Sequence, residues 1–250
     1  MRGANLYGAM LDDADFRDAE LAVANVSDGY HLARVEDGER AGEAGSEPSR
    51  RGVDLRNCSL KRARLGGARL QGADFSGANL HGAQLRGAKL DGAVFHEAIL
   101  TGVDLKGTHF PEGALASCVM EPSRQSLDRV DALLAILSEA EGWLSRKGAD
   151  GVGAQLSGED LRPLAGGLVK RRLPGLVASG ACAIDMDFSG SLLTGANFNG
   201  ADLRGAKFDE ADLRGASFRD CKLAHAQFIG CDLRPLPFKD GREHPVDFTG

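Results

Sequence analysis

Apolar residues in this chain recur at every fifth position over three long stretches, each with a small residue two places before it. The first stretch holds Ala4-Asn5-Leu6, Ala14-Asp15-Phe16 and Ala24-Asn25-Val26. The second runs from Val53-Asp54-Leu55 through Ala73-Asp74-Phe75 and Ala78-Asn79-Leu80 to Phe110. The third runs from Phe188 through Ala196-Asn197-Phe198, Ala201-Asp202-Leu203 and Ala211-Asp212-Leu213 to Leu233. A period of five suits neither a 3.6-residue helix nor a two-residue strand, so it reads as a repeat signature. Two side chains in every five then point inward and three point outward. Glycine often follows two places after the apolar centre, as at Gly72, Gly77, Gly82, Gly195, Gly200 and Gly205. Glycine there permits a tight turn, so each pentapeptide forms one flat side of a coil and the chain turns a corner at every repeat.

The pattern resembles the pentapeptide-repeat family, with its consensus A-(D/N)-L-x-x, over roughly 28 repeats and more than half of the chain. The resemblance implies a mainly β fold, a right-handed quadrilateral β-helix with four repeats to a coil, in which residues 20 apart stack. Phe188, Phe208, Phe228 and Phe248 keep that interval, as do Phe198, Phe218 and Phe238, with Phe75 and Phe95 in the second stretch. Phe is thus expected in two columns on opposite faces, with Leu193, Leu203, Leu213, Leu223 and Leu233 on the other two. Such columns bury a continuous apolar ladder that holds a solenoid together coil by coil.

Two interruptions divide the repeats. Residues 27–51 are polar, Gly-rich and highly charged, too poor in apolar surface to order themselves, and are expected to project as a loop from one corner. Residues 114–187 carry a helical pattern. Ser126 is a plausible N-cap, Leu127, Val130, Leu134 and Leu137 fall on one face with Leu133, Ala140 and Leu144 beside them, and Gly148 is a reasonable stop. This helix is expected to cap an open coil end, since unpaired strand edges need covering, or to pack on the side of the coils, or else to serve as a dimer or partner helix. Ala154-Gln155-Leu156 and Glu159-Asp160-Leu161 read as two stray repeats, and the apolar segment Leu164 to Val177 is expected to contain a short helix, with the basic triplet Lys170-Arg171-Arg172 within it taken as a solvated face. The expected organisation is therefore an N-terminal repeat β-helix over 1–113, a mostly helical connector over 114–187 and a C-terminal repeat β-helix over 188–250. Phe248 keeps the phase, so the last coil is expected to be cut short as part of a longer protein.

Composition adds limits rather than a function. The net charge of −6 is uneven: residues 51–110 carry 9 basic and 5 acidic side chains, whereas residues 1–40 carry 4 and 9. A mosaic of this kind reads as a solvated surface. No membrane span and no signal peptide is visible, and a bacterial, cytoplasmic protein is the expectation. The five cysteines have no metal-ligand spacing, and Cys58, Cys221 and Cys231 occupy the small-residue slot of the repeat. The Asp and Asn before many centres are expected to bond their own backbone at the turn rather than to form a carboxylate pair.

No nucleophile, phosphate-loop or metal motif appears, and no catalytic residue, cofactor site or metal site is assigned. The expectation is a non-enzymatic interaction scaffold with a protein partner, contacted through outward repeat residues, the loop 27–51 or the connector, with a homodimer through the connector helix. Direct nucleic-acid binding is not expected. The resemblance extends to quinolone-resistance proteins of the family, which implies an alternative: an acidic DNA mimic acting on DNA gyrase. The net basic segment 51–110 and the internal helical element depart from that group.

Overall fold

The computed structural model describes residues 52–145, 153–238 and 240–250. The repeats of the first stretch and the loop expected at 27–51 lie outside the described residues. The chain divides into two compact units, Met1–Glu121 and Pro122–Gly250.

In the first unit the chain pairs with itself in parallel, each coil lying on the one before. Asp54 bridges Asp74, which bridges Val94; Ser59 bridges Asn79, then Ile99 and Val119; Arg64 bridges Gln84, and Arg69 bridges Lys89. The Leu55 N–H donates to the Asp74 carbonyl at 2.8 Å, and the Asp74 N–H returns to the Val53 carbonyl at 3.0 Å. Four pentapeptides therefore complete a coil. Between bridges the chain turns: the Cys58 N–H donates to the Leu55 carbonyl at 3.3 Å, with Asn57 at φ 53° in the third turn position. That position demands positive φ, which is why Gly recurs there. Val53, Leu55, Cys58, Leu60, Ala63 and Leu65 open a core made of the small and large positions of successive repeats. Phe75 and Phe95 stack with ring centres 4.9 Å apart, and Phe110 meets Phe95 edge-on at 5.3 Å.

The second unit opens with α1 (Arg124–Asp128) and α2 (Val130–Ser145), separated at Arg129. The N-cap is Ser123, not Ser126: its side chain accepts the Ser126 N–H. Leu133 and Leu137 are fully buried in the core of the unit, whereas Leu127 is 53% exposed, so the apolar stripe is narrower than the sequence suggests. Gly148 lies outside the described residues.

The helical connector expected over 114–187 is shorter than that. The described helix runs to Ser145, and coil is present again by Ala154: Gln155 bridges Val177, and Asp160 bridges Cys182. The supposed stray repeats are the first coil of this unit. The short helix expected between Leu164 and Val177 is only a 3-10 turn at Arg162–Leu164. This turn lengthens the coil, so the bridges from Gln155 and Asp160 span two positions more than the bridge from Arg172 to Leu192, where the ordinary register returns. Periodicity misled here because the insertion shifts the repeat phase, and a small residue, Ala178 or Ala183, takes the centre position in the next coil.

The helix finishes the first coil. In later coils the N–H at this register pairs with the coil before, as Leu192 does with the Arg171 carbonyl at 2.8 Å. The equivalent N–H of Arg172 donates instead to the Glu141 carboxylate of α2 at 3.0 Å, while the Arg171 guanidinium pairs with the other Glu141 oxygen at 2.6 Å. Arg171 also reaches the Gly167 carbonyl at 2.8 Å and is half-buried, so the basic triplet is not simply solvated.

Two Phe columns run through this unit, but not with the expected membership. Phe188 stacks on Phe208 at 4.9 Å and Phe208 on Phe228 at 5.1 Å; Phe198 stacks on Phe218 at 5.2 Å. The ring that continues the second column is Phe248, 5.0 Å from Phe218, not Phe238. Ser217 bridges Asp247 rather than its counterpart four repeats on, so two whole pentapeptides leave the stack. They form an antiparallel hairpin of β1 (Leu236–Pro237) and β2 (Glu243–His244). An excursion of two whole repeats conserves the five-residue phase, which is why counting by fives could not detect it.

Candidate interaction surface

Every outward position of a coil sits a strand spacing of about 4.8 Å from its equivalent in the next, so surface chemistry is arranged in columns. The Asp or Asn before each centre locks the adjoining corner. Asp74 accepts the Ser76 N–H at 2.9 Å, Asp187 that of Ser189 at 2.9 Å and Asn197 that of Asn199 at 3.0 Å. Where Arg follows the centre, it closes a second ring onto the same carboxylate. This Asp-Leu-Arg unit appears at Asp54–Arg56, Asp160–Arg162, Asp202–Arg204, Asp212–Arg214 and Asp232–Arg234, with guanidinium–carboxylate distances of 2.5–2.7 Å. Arg204 is the most enclosed of them, 4% exposed. Arg214 also reaches Asp232 of the next coil at 3.6 Å. The Arg234 side chain, followed by its backbone N–H, holds the Asp232 carboxyl down to about 2. These carboxylates are occupied by their own corner, as the turn chemistry requires, and are not poised as acids or bases.

The hairpin is the element that sequence reasoning missed. Its Leu236 side chain packs over the corner glycines: a methyl group added at Gly215 would lie 2.7 Å from the Leu236 Cβ and 3.3 Å from the His244 carbonyl. Phe238 at its turn is 47% exposed, with the His244 ring centre 6.4 Å away. Pro235 and Pro237, with Asp240-Gly241, were the available signal, since Pro is poorly placed in an interior strand and Asp-Gly favours a turn.

Beside α1, Gln125, Ser126, Arg129, Gly158, Glu159 and Asp160 line an open cleft of about 400 Å³. It is polar, and the Arg129–Glu159 ion pair spans it. Burial raises the thiols of Cys118, Cys182, Cys221 and Cys231 above the ordinary range, which keeps them protonated and unreactive. Among the described residues no cluster of His, Cys, Asp and Glu could hold a metal ion, and no helix is long and apolar enough to cross a membrane.

Parallel four-repeat coils, corner locks and a core of small and large apolar residues define a repeat-solenoid class of protein. The family model described as pentapeptide repeats matches in eight copies, over residues 1–28, 51–83, 78–112, 177–209 and 196–234. The chain belongs to the pentapeptide-repeat family. No curated protein matches the chain. Among solved structures, it is similar to HetL from the cyanobacterium Nostoc sp. strain PCC 7120, a pentapeptide repeat protein involved in heterocyst differentiation regulation. Identity is 19% over 98% of this chain and 89% of that one, with a TM-score of 0.29. Alr5209 of Nostoc PCC 7120 is 30% identical over 48% of this chain and 82% of its own, with a TM-score of 0.25. QnrB1, a plasmid-mediated fluoroquinolone resistance protein, is 12% identical over 92% of this chain and 89% of its own, with a TM-score of 0.29.

Proposed function

We propose that the chain is a non-enzymatic protein-interaction scaffold, built on right-handed quadrilateral β-helical coils. The observation that carries this reading is the division of labour within each repeat. The inward positions are filled by the chain's own Leu, Phe and Ala, while the charged groups stand outside on a lattice whose corners are locked by Asp–Arg and Asp–amide rings. A surface held rigid before it meets a partner loses little freedom on binding. Such a surface suits recognition rather than turnover.

The alternative, DNA mimicry directed at gyrase, requires a continuous acidic stripe. The first unit instead sets Arg69 and Lys89 in register on adjacent coils, which weighs against it.

Chemical cross-linking in a lysate of the source cells, read by mass spectrometry, tests the scaffold reading. The intact chain is expected to enrich a defined set of proteins over a globular control, and loss or change of that set is expected when residues 236–245 are deleted. No enrichment over the control overturns the reading. A supercoiling assay tests the alternative: inhibition or protection of gyrase at micromolar protein would reinstate it.

A further inference from the structure

Among the described residues of the first unit, five exposed cations gather around one corner. Asp54 and Asp74 pair in register on one side, where Arg56 forms an ion pair with Asp54 and Asp74 accepts the Ser76 N–H. The corner between the sides of Leu85 and Leu90 is different. Arg64 and Arg69 flank it in one coil, and Arg86 and Lys89 in the next, with Lys106 one coil further; all five side chains are exposed. Arg69 and Lys89 are direct parallel neighbours. The Arg86 side chain leans onto the following coil, its Cγ 3.7 Å from where a side chain at Gly107 would begin, beside Lys106. His109 takes the next place after Lys89 in the repeat register. The nearby acids are Asp91, at the next corner, and Asp104, whose carboxylate already accepts the Lys106 N–H at 3.0 Å. No described carboxylate pairs with Arg64, Arg69, Arg86, Lys89 or Lys106.

Like charges directly opposite on paired strands are destabilising, and the fold does not need them there: uncharged Gln84 and Ser76 fill comparable outward positions. We propose that this five-cation corner is a docking surface for an acidic helix of a protein partner, laid along the stacking direction; the proposal rests on the scaffold reading and names the chemistry of the partner. Coil spacing sets the cations about 4.8 Å apart along the stack. Carboxylates three or four residues apart on a helix advance about 4.5–6 Å. On one face of an extended strand they advance about 6.6–6.8 Å, a poorer match. A nucleic-acid occupant is disfavoured by the same surface. It offers no exposed Phe, Tyr or Trp ring for bases to stack on, the usual platform for single strands, and the chain as a whole is acidic, with a net charge of −6.

The full-length chain tests this against a fluorescent helical peptide of about five turns with Glu at i, i+3 and i+7 positions. A peptide of the same composition with the Glu spacing scrambled and a short duplex DNA of matching length serve as comparators, with anisotropy as the readout. Micromolar binding of the helical peptide is expected at low salt, weakening as salt rises. It should fall at least 10-fold in Arg69→Gln/Lys89→Gln and survive in Arg69→Lys/Lys89→Arg, with circular dichroism unchanged in both. Equal binding by the neutralised variant, no preference for helical spacing, or capture of the duplex but not the peptide each overturns the proposal. Should the peptide fail while cross-linking still recovers a hairpin-dependent set of proteins, the corner assignment falls and the scaffold reading stands.

Discussion

Phe218 and Phe248 stack with ring centres 5.0 Å apart and planes 5° from parallel, although six repeats separate them in the chain. Phe228, the nearer of the two in sequence, meets Phe248 edge-on at 5.6 Å. The stack therefore treats residues 219–247 as one coil plus an excursion, with the Phe218 N–H donating to the Asp247 carbonyl at 2.7 Å.

If the hairpin is an insertion of two repeats, removing it should restore an ordinary coil. Deletion of residues 236–245 is expected to fold, with the N–H of Phe218 still protected from exchange. Phe218→Ala, by contrast, removes a buried ring that stacks on Phe198 and Phe248 and meets Phe208 and Phe228 edge-on. It should cost about 3–5 kcal/mol in urea unfolding. Phe248→Ala should cost less, because that ring is already 44% exposed. A deletion more disruptive than Phe218→Ala would show that the hairpin is integral to the stack.

The fit of the hairpin to the corner glycines is separable from the turn they make. Gly200 and Gly215 have φ of 70° and 67°, but an added methyl meets nothing within 4 Å at Gly200 and lies 2.7 Å from Leu236 Cβ at Gly215. Gly200→Ala should show only the backbone penalty, about 1–2 kcal/mol. Gly215→Ala should add overpacking of about 1–3 kcal/mol and raise hydrogen exchange in the hairpin. Equal effects at the two sites would mean that Leu236 does not dock there in solution.

These contrasts mark what the sequence could and could not reveal. Ala-Asp-Leu spacing was enough to identify the coil, its core positions and its corner locks, because each is a local property of a single repeat. The shift at Arg162–Leu164 and the excursion from Leu236 to His244 depend on which coil lies below, as the bridges Asp160 to Cys182 and Ser217 to Asp247 record. The second leaves the five-residue phase untouched and so leaves no trace in periodicity. The role of Glu141 was equally hidden: a lone acid in an amphipathic helix gives no sign that it will receive a backbone N–H from the first coil. The basic excess of 51–110 was countable in sequence, but only the coil-on-coil register gathers Arg64, Arg69, Arg86, Lys89 and Lys106 onto one corner.

Glu141 gives a test of the helical cap. Its carboxylate accepts the Arg172 N–H at 3.0 Å and pairs with Arg171 at 2.6 Å. Glu141→Ala leaves that N–H without its acceptor, a loss of about 1–3 kcal/mol. Exchange should accelerate at Arg172 and in the first coil, near Leu161 and Leu168, while the coils around Phe208 stay protected. Uniform acceleration through the unit would instead indicate global destabilisation, and no change would remove Glu141 from the cap.

The last coil should carry its own acid sensitivity. The Asp247 carboxyl is held at about 2, first by the Thr249 N–H, then by the Thr249 hydroxyl and the Arg219 guanidinium. An unfolded Asp titrates near about 3.9, so the folded value is the lower one. The stabilisation from this group is thus fully present above about pH 4 and is lost as pH falls toward 2. Carboxyl NMR should place the Asp247 midpoint near 2, and exchange at Thr249 and Phe218 should quicken across that interval before the inner coils respond. Asp247→Asn should flatten the local pH dependence, because its amide keeps an acceptor for the Thr249 N–H but cannot titrate. A midpoint near 4 in the intact chain would show that Arg219 and Thr249 do not hold the carboxylate in solution.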